Sequence, residues 1–385
     1  MSVVLQAPAD DAFWSPPNPL PGGDHGEVIW SRPLTGVAAL ERAASNELVL
    51  YQSVSVSGTP IGVSGIVALP AGPTPPGGFP VVSWAHGTLG SADVCAPSRD
   101  TVDAAAHIFN QAPHILLDAF LQQGFAVVMT DYEGLGTPGP HPYLLGLSQA
   151  RGILDMVRAA RALHPELSPM VALVGHSQGG QAALFAAHHR DWTPELTVRG
   201  VAAIAPPSQL KALVLNGAGY PQPNEGFAFT PLFLTGAIAA DPSIDPAQVL
   251  TDAAYALWPH AEIRCRVGLS MTDSWGGLAG TNQLRQPPGA STTAFLAQLD
   301  AMNPDIDISV PIRISQAVLD QRVRVAFTRT LADLLSKRNG VQSVSYVEYP
   351  VVGQTAYPDQ LGYHFGTIEA DSQALTTWLT DRFAD

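Results

Sequence analysis

The residues with most chemistry in them stand together at Gly175-His176-Ser177-Gln178-Gly179. This G-x-S-x-G run lies between an apolar stretch (170–174) and an Ala-rich one (179–190), a setting that predicts a tight strand-to-helix turn. In such a turn Gly175 and Gly179 leave the space that side chains would otherwise fill. The Ser177 hydroxyl is then raised above the sheet at a helix N-terminus, where unpaired N–H groups favour developing negative charge. Ser177 is therefore the candidate nucleophile.

A serine hydroxyl attacks poorly at neutral pH unless a base takes its proton and an acid orients that base. In this kind of turn the partners come later in the chain, in the order Ser, Asp or Glu, His. Asp320 follows a strand-like segment and precedes a helical one, and is the candidate acid; Asp273 and Asp131 are the alternatives, with Asp131 better suited to bracing its own loop. His364 is the candidate base, expected in a loop flanked by Gly362 and Gly366 after the last strand. Most of the other histidines sit in helical or turn stretches. The N–H groups of Gln178 and of Thr88, in the loop His86-Gly87-Thr88, are the candidate oxyanion donors. His86 reads as a brace for that loop.

These groups need a scaffold, and the periodicity supplies one. Residues 1–45 read as an N-terminal arm rich in Pro and Gly with a short helix near 37–44. Segments 48–57 and 61–69 alternate like a hairpin. Strand and helix then take turns: strand 80–84, helix 101–122, strand 125–130, helix 147–163, strand 170–174, helix 179–190 and strand 198–205. The pattern predicts an α/β fold with a mostly parallel sheet flanked by helices. It breaks over 208–308, about a hundred residues too long for an ordinary connection. That segment reads as an inserted, mainly helical cap, leaving 46–207 and 309–385 as the core. Strand 311–315, helix 324–337, strand 341–349 and helix 368–383 complete the rhythm.

Composition narrows the partners. The 385 residues carry 33 Asp plus Glu against 19 Lys plus Arg, a formal charge of -14, with no basic run. A phosphate backbone or an anionic membrane would on average be repelled, so no nucleic acid and no stable membrane insertion are expected. No apolar run reaches the roughly 20 residues of a spanning helix. No leader segment is evident at the start, which favours the cytoplasm weakly over export. Cys95 and Cys265 have no C-x-x-C partner and read as separate buried thiols, with a single disulfide as the alternative.

Taken together, His86-Gly87-Thr88, Asp131-Tyr132-Glu133-Gly134-Leu135-Gly136, Gly175-His176-Ser177-Gln178-Gly179-Gly180 and the late Asp320 and His364 resemble the secretory-lipase family of α/β-hydrolases. The resemblance covers roughly residues 25–382. It implies hydrolysis of small-molecule or lipid carboxylic esters by Ser177, Asp320 and His364, with no cofactor and no metal. It also implies that the cap forms the acyl-binding region. The chain departs from the family where Ala317 or Val318 stands in place of a usual glycine, and where Tyr363 precedes His364 after a longer loop. An acyltransferase using the same three residues is the enzymatic alternative, and a non-catalytic hydrolase-like binding protein the other.

Overall fold

The computed structural model describes residues 4–353 and 361–384. Nine strands form one sheet in the order β1-β2-β3-β5-β4-β6-β7-β8-β9. They are β1 (Val28–Pro33), β2 (Ser45–Val54), β3 (Pro60–Leu69), β4 (Phe79–Ala85), β5 (Ala126–Thr130), β6 (Leu167–His176), β7 (Thr197–Ile204), β8 (Ile312–Ala317) and β9 (Val344–Tyr349). From β5 through β9 every neighbouring pair is parallel, while β1, β2 and β3 join as antiparallel neighbours.

The alternation of side chains along the central strands explains the layers. Val81, Ala85, Val171 and Leu173 point into a core shared with helices α3 (Gly146–Leu163) and α4 (Gln178–His188). Their alternates Val82, Trp84, Ala172 and Val174 face a second core with α2 (His114–Gln122) and α13 (Leu361–Ala384). Strands apolar on both sides can only lie between two helical layers. All five residues of β5 are accordingly buried. The strands β4, β6 and β8 end on one edge, and the loops leaving that edge carry Thr88, Ser177 and Asp320.

Residues 208–308 hold α5 (Leu210–Ala218), α6 (Phe229–Ala240) and α11 (Ala290–Ala301), with shorter helical turns between them, Arg266–Leu269 among these. Leu232, Leu234, Trp275 and Phe295 pack together there and onto Tyr143 and Leu144. Among the described residues no helix is long and apolar enough to cross a membrane.

Three expectations need correction. The helix near 37–44 is absent; the chain turns there because Asn46 satisfies the backbone itself, accepting from Leu40 N at 2.9 Å and donating to Leu40 O at 3.0 Å. The stretch read as an arm also contains β1, whose Ile29 and Trp30 are buried with Phe13, Trp14 and Leu50. Cys95 and Cys265 are not separate thiols but a disulfide spanning 170 residues, with Cα atoms 5.5 Å apart. A backbone bridge between Gly90 and Cys265 and a hydrogen bond from Arg266 N to Leu89 O (2.7 Å) reinforce it. Structural disulfides persist in oxidising compartments, which argues against the cytoplasmic preference.

Closing so long a loop restricts the unfolded chain, so Cys265→Ala should destabilise the protein by about 2–5 kcal/mol. Denaturant unfolding of the wild type with and without a reductant checks this. Equal midpoints, or thiols that alkylate without reduction, would contradict the bridge.

Candidate active site

The turn after β6 is set by what cannot fit. A Cβ on Gly179 would lie 1.8 Å from the carbonyl oxygen of Ala85, and one on Gly175 would lie 2.1 Å from that of Gly179. Only glycine lets α4 start this close to β4. Between the two, Ser177 adopts φ 56° and ψ -121°, a region that non-glycine residues rarely occupy and that is held here by its surroundings. Its N–H donates to Ile204 O at 2.8 Å, and its carbonyl accepts from Gly180 N at 2.9 Å.

The loop leaving β4 crosses directly over this turn, since a Cβ on Gly87 would stand 3.5 Å from the Ser177 Cβ. Neither the Thr88 nor the Gln178 backbone N–H is taken up by a hydrogen bond among the described residues. Thr88 presents its hydroxyl to Tyr143 Oη at 2.8 Å. His86 braces the loop as expected. Its Nδ1 lies 2.7 Å from Gly87 O and its Nε2 3.4 Å from Asp131 O. Burial lowers the ring's pKa to about 4. A neutral imidazole has one N–H, and the shorter contact marks Nδ1 as the donor.

Asp320 lies in the loop between β8 and α12 (Val325–Asn339), as its sequence position predicts. Its Oδ1 accepts from Arg322 N (2.8 Å) and Val323 N (3.0 Å), and its Oδ2 from Gln316 Nε2 (3.0 Å) and His364 Nδ1 (2.7 Å). Burial pushes this carboxyl up, but His364 and the two backbone N–H groups outweigh it and hold it below the usual range. Asp131 instead anchors its own loop to Ser64 (2.5 Å) and Ser98. Asp273 pairs with Arg264 at 3.0 Å and is largely exposed.

His364 does not sit in a loop. It belongs to the first turn of α13, and Gly366 serves close packing, because a Cβ there would come 2.8 Å from Gly353 O. Its ring lies 4.4 Å, centroid to centroid, from that of His176, whose Nε2–H donates to the His364 carbonyl at 3.1 Å. Burial, with His364 adding to it, holds His176 neutral. Asp320 fixes the proton of His364 on Nδ1 and leaves Nε2 as the basic atom. Ser177 Oγ makes no hydrogen bond to this ring among the described residues. Such bonds commonly tighten only when substrate is bound.

Sequence reasoning passed over a buried amide chain beneath Gln178. Gln178 Nε2 donates to His141 Nε2 (3.1 Å) and to Gln149 Oε1 (3.0 Å). Gln149 Nε2 donates to Gln181 Oε1 at 2.7 Å, and Gln181 Nε2 to the carbonyls of Leu144 and Met302. The legible signal was Gln178 and Gln181 three apart in an otherwise apolar helix. A cavity of about 520 Å³ opens beside Asp320 and is lined by Leu213, Phe227, Phe229, Phe233 and Arg322. Leu232, Leu234 and Ala237 of the same stretch are buried in that segment's own core.

Comparison with known proteins comes to the same region. Residues 101–220, which include the Ser177 turn, match the family model "Secretory lipase". Lipase A of Moesziomyces aphidis is 29% identical over 59% of this chain, which spans 48% of that lipase's length. A "probable inactive lipase" of Mycobacterium tuberculosis is 26% identical over 98% of this chain and 82% of its own. The rice cell wall degrading esterase LipA from Xanthomonas oryzae superposes with a TM-score of 0.73 at 20% identity, covering 93% of this chain and 98% of its own. The fold is that of the α/β-hydrolases.

The depressed pKa of Asp320 has a consequence for stability. A carboxyl held lower in the folded than in the unfolded chain contributes stability above its unfolded pKa of about 3.9, and loses it as pH falls through the folded value. The unfolding free energy of wild type minus that of Asp320→Asn should shrink on acidification below about pH 4, and level off once the carboxyl is protonated in both states. A difference that stays unchanged through the acid range would contradict this.

Proposed function

Because this chain carries a secretory-lipase segment within an α/β-hydrolase fold, we propose that it is a serine carboxylester hydrolase acting on small-molecule or lipid esters. The observation that carries the reading is the 2.7 Å pairing of Asp320 with His364, whose carbonyl accepts from the ring of His176, the residue before Ser177. Attack by Ser177 Oγ on an ester carbonyl transfers the hydroxyl proton to His364 Nε2. Negative charge then grows on the carbonyl oxygen, within reach of the N–H groups of Gln178 and Thr88. Each such donor contributes about 3 kcal/mol. His364 returns the proton to the departing alcohol, and the acyl group stays on Ser177. Water, deprotonated by the same imidazole, releases the acid. Asp320 remains ionised throughout, which its depressed pKa supports.

Segment 208–308 is assigned as the cap over this site, and the cavity lined by Phe227, Phe229 and Phe233 as the acyl pocket. The Cys95–Cys265 disulfide and the family's name both support export from the cytoplasm. One observation favours a non-catalytic reading: the relative matching 98% of this chain is called a probable inactive lipase. Against it stand Ser177, His364 and Asp320, all present and grouped at one sheet edge. An alcohol competing with water at the acyl-enzyme would divert product and mark an acyltransferase.

A panel of p-nitrophenyl esters from acetate to palmitate separates these readings. The wild type should hydrolyse at least one of them, and Ser177→Ala should lower kcat by about a thousandfold or more. Wild-type rates indistinguishable from those of Ser177→Ala on every ester would overturn the proposal.

A further inference from the structure

In a chain of formal charge -14, two guanidinium groups converge beside the site. Arg266 opens the short helix Arg266–Leu269, and its N–H donates to Leu89 O, next to Thr88. The residue is 6% exposed, and its guanidinium lies 4.4 Å above the ring of Phe109, which stacks on Phe365, the neighbour of His364. One hydrogen bond, from Nη1 to Ser270 Oγ at 3.3 Å, is its side-chain partner. No carboxylate lies within ion-pair distance of it among the described residues. A buried charge so weakly compensated is costly for a fold to keep.

Arg322 is the second guanidinium. Its main-chain N–H holds Asp320, while its guanidinium lies 5.2 Å over Phe229 in the cavity wall and pairs with Glu225 at 2.7 Å. Glu225 begins a turn, Glu225–Ala228, that packs against the helix of Arg266. Of the two cations only Arg322 has an ion-paired carboxylate, the half-exposed Glu225. Burial, and then Arg322, push the pKa of Arg266 down to about 10. Burial raises the pKa of the Tyr143 phenol, while Thr88, Arg266 and Arg322 oppose it. Both guanidiniums are thus within electrostatic reach of the hydroxyl bonded to Thr88.

We propose that Arg266, assisted by Arg322, binds a carboxylate carried by the substrate, so that the preferred esters are anionic ones with a free carboxylate in the acyl or the alcohol part. A planar guanidinium suits a carboxylate, and the enclosed setting strengthens the pairing. The inference rests on the ester-hydrolase reading and narrows it to a substrate class.

Two matched pairs test it with the intact protein. On the acyl side the mono-p-nitrophenyl ester of octanedioic acid is compared with p-nitrophenyl octanoate, and on the alcohol side 3-carboxyphenyl butanoate with 3-acetylphenyl butanoate. The charged member of at least one pair should show a kcat/KM about tenfold higher at low salt, an advantage that shrinks as salt rises. Arg266→Gln should reduce the charged-to-neutral ratio by about tenfold, and Arg322→Gln, a second variant in case the first folds poorly, should reduce it in the same direction. Preference for the neutral member in both pairs overturns the proposal, as does a ratio that neither variant changes. In that case Arg266 serves only to pack on Phe109. If none of the four esters turns over, the hydrolase reading is what fails. Calorimetry with octanoate against octanamide then decides the anion site alone: octanoate binding weakened in Arg266→Gln supports it, and equal binding or none refutes it.

Discussion

The close approach of α4 to β4 is the constraint on which the rest depends. The helix can begin there because Gly179 has no side chain to meet the Ala85 carbonyl, and Gly175 none to meet Gly179. Relax that contact and Ser177 has no reason to keep a positive φ. The same approach brings the loop of Gly87 and Thr88 over Ser177, so one packing contact positions both the hydroxyl and the amides proposed as oxyanion donors. Parallel strands do the remainder. Since β4, β6 and β8 end on the same edge, loops far apart in sequence deliver Thr88, Ser177 and Asp320 to one place.

Burial then sorts the histidines. His86, His141 and His176 lie closer in sequence or space to the Ser177 turn than many others do, yet burial disfavours their charged forms and each is engaged with a carbonyl. Carboxylate pairing alone is not a distinguishing mark. His25 faces Asp155 at 2.6 Å and His107 faces Asp100 at 2.8 Å, and these pairs tie down the N-terminal segment and the turns near residue 100. What distinguishes His364 is pairing with a carboxylate that is itself fixed by two backbone N–H groups and an amide, in the loop after β8.

Much of this was legible in the sequence. The double-sided apolar strands, the glycines flanking Ser177 and the loop position of Asp320 each follow from local patterns with a single physical meaning. Where the reading failed, a tertiary contact had overridden a local one. Gly362 and Gly366 look like helix breakers, but Gly366 lies in α13 because Gly353 passes against it. The segment 37–44 has helical composition, but Asn46 captures its backbone groups. Cys95 and Cys265 lack any spacing signature, since their pairing depends on how the segment carrying Cys265 folds back onto the loop after Thr88. The glutamine chain beneath Gln178 spans α3 and α4, and a linear pattern does not reveal cross-helix hydrogen bonds.

The most direct test of the central claim is a crystal structure of the protein after reaction with an alkyl phosphonate ester, whose tetrahedral phosphorus mimics the first intermediate. The account predicts a covalent bond from Ser177 Oγ to phosphorus. It also predicts a phosphonyl oxygen about 2.7–3.1 Å from the N–H groups of both Gln178 and Thr88, with His364 Nε2 turned toward Ser177 Oγ. An unmodified Ser177, or a phosphonyl oxygen turned away from both amides, would contradict it.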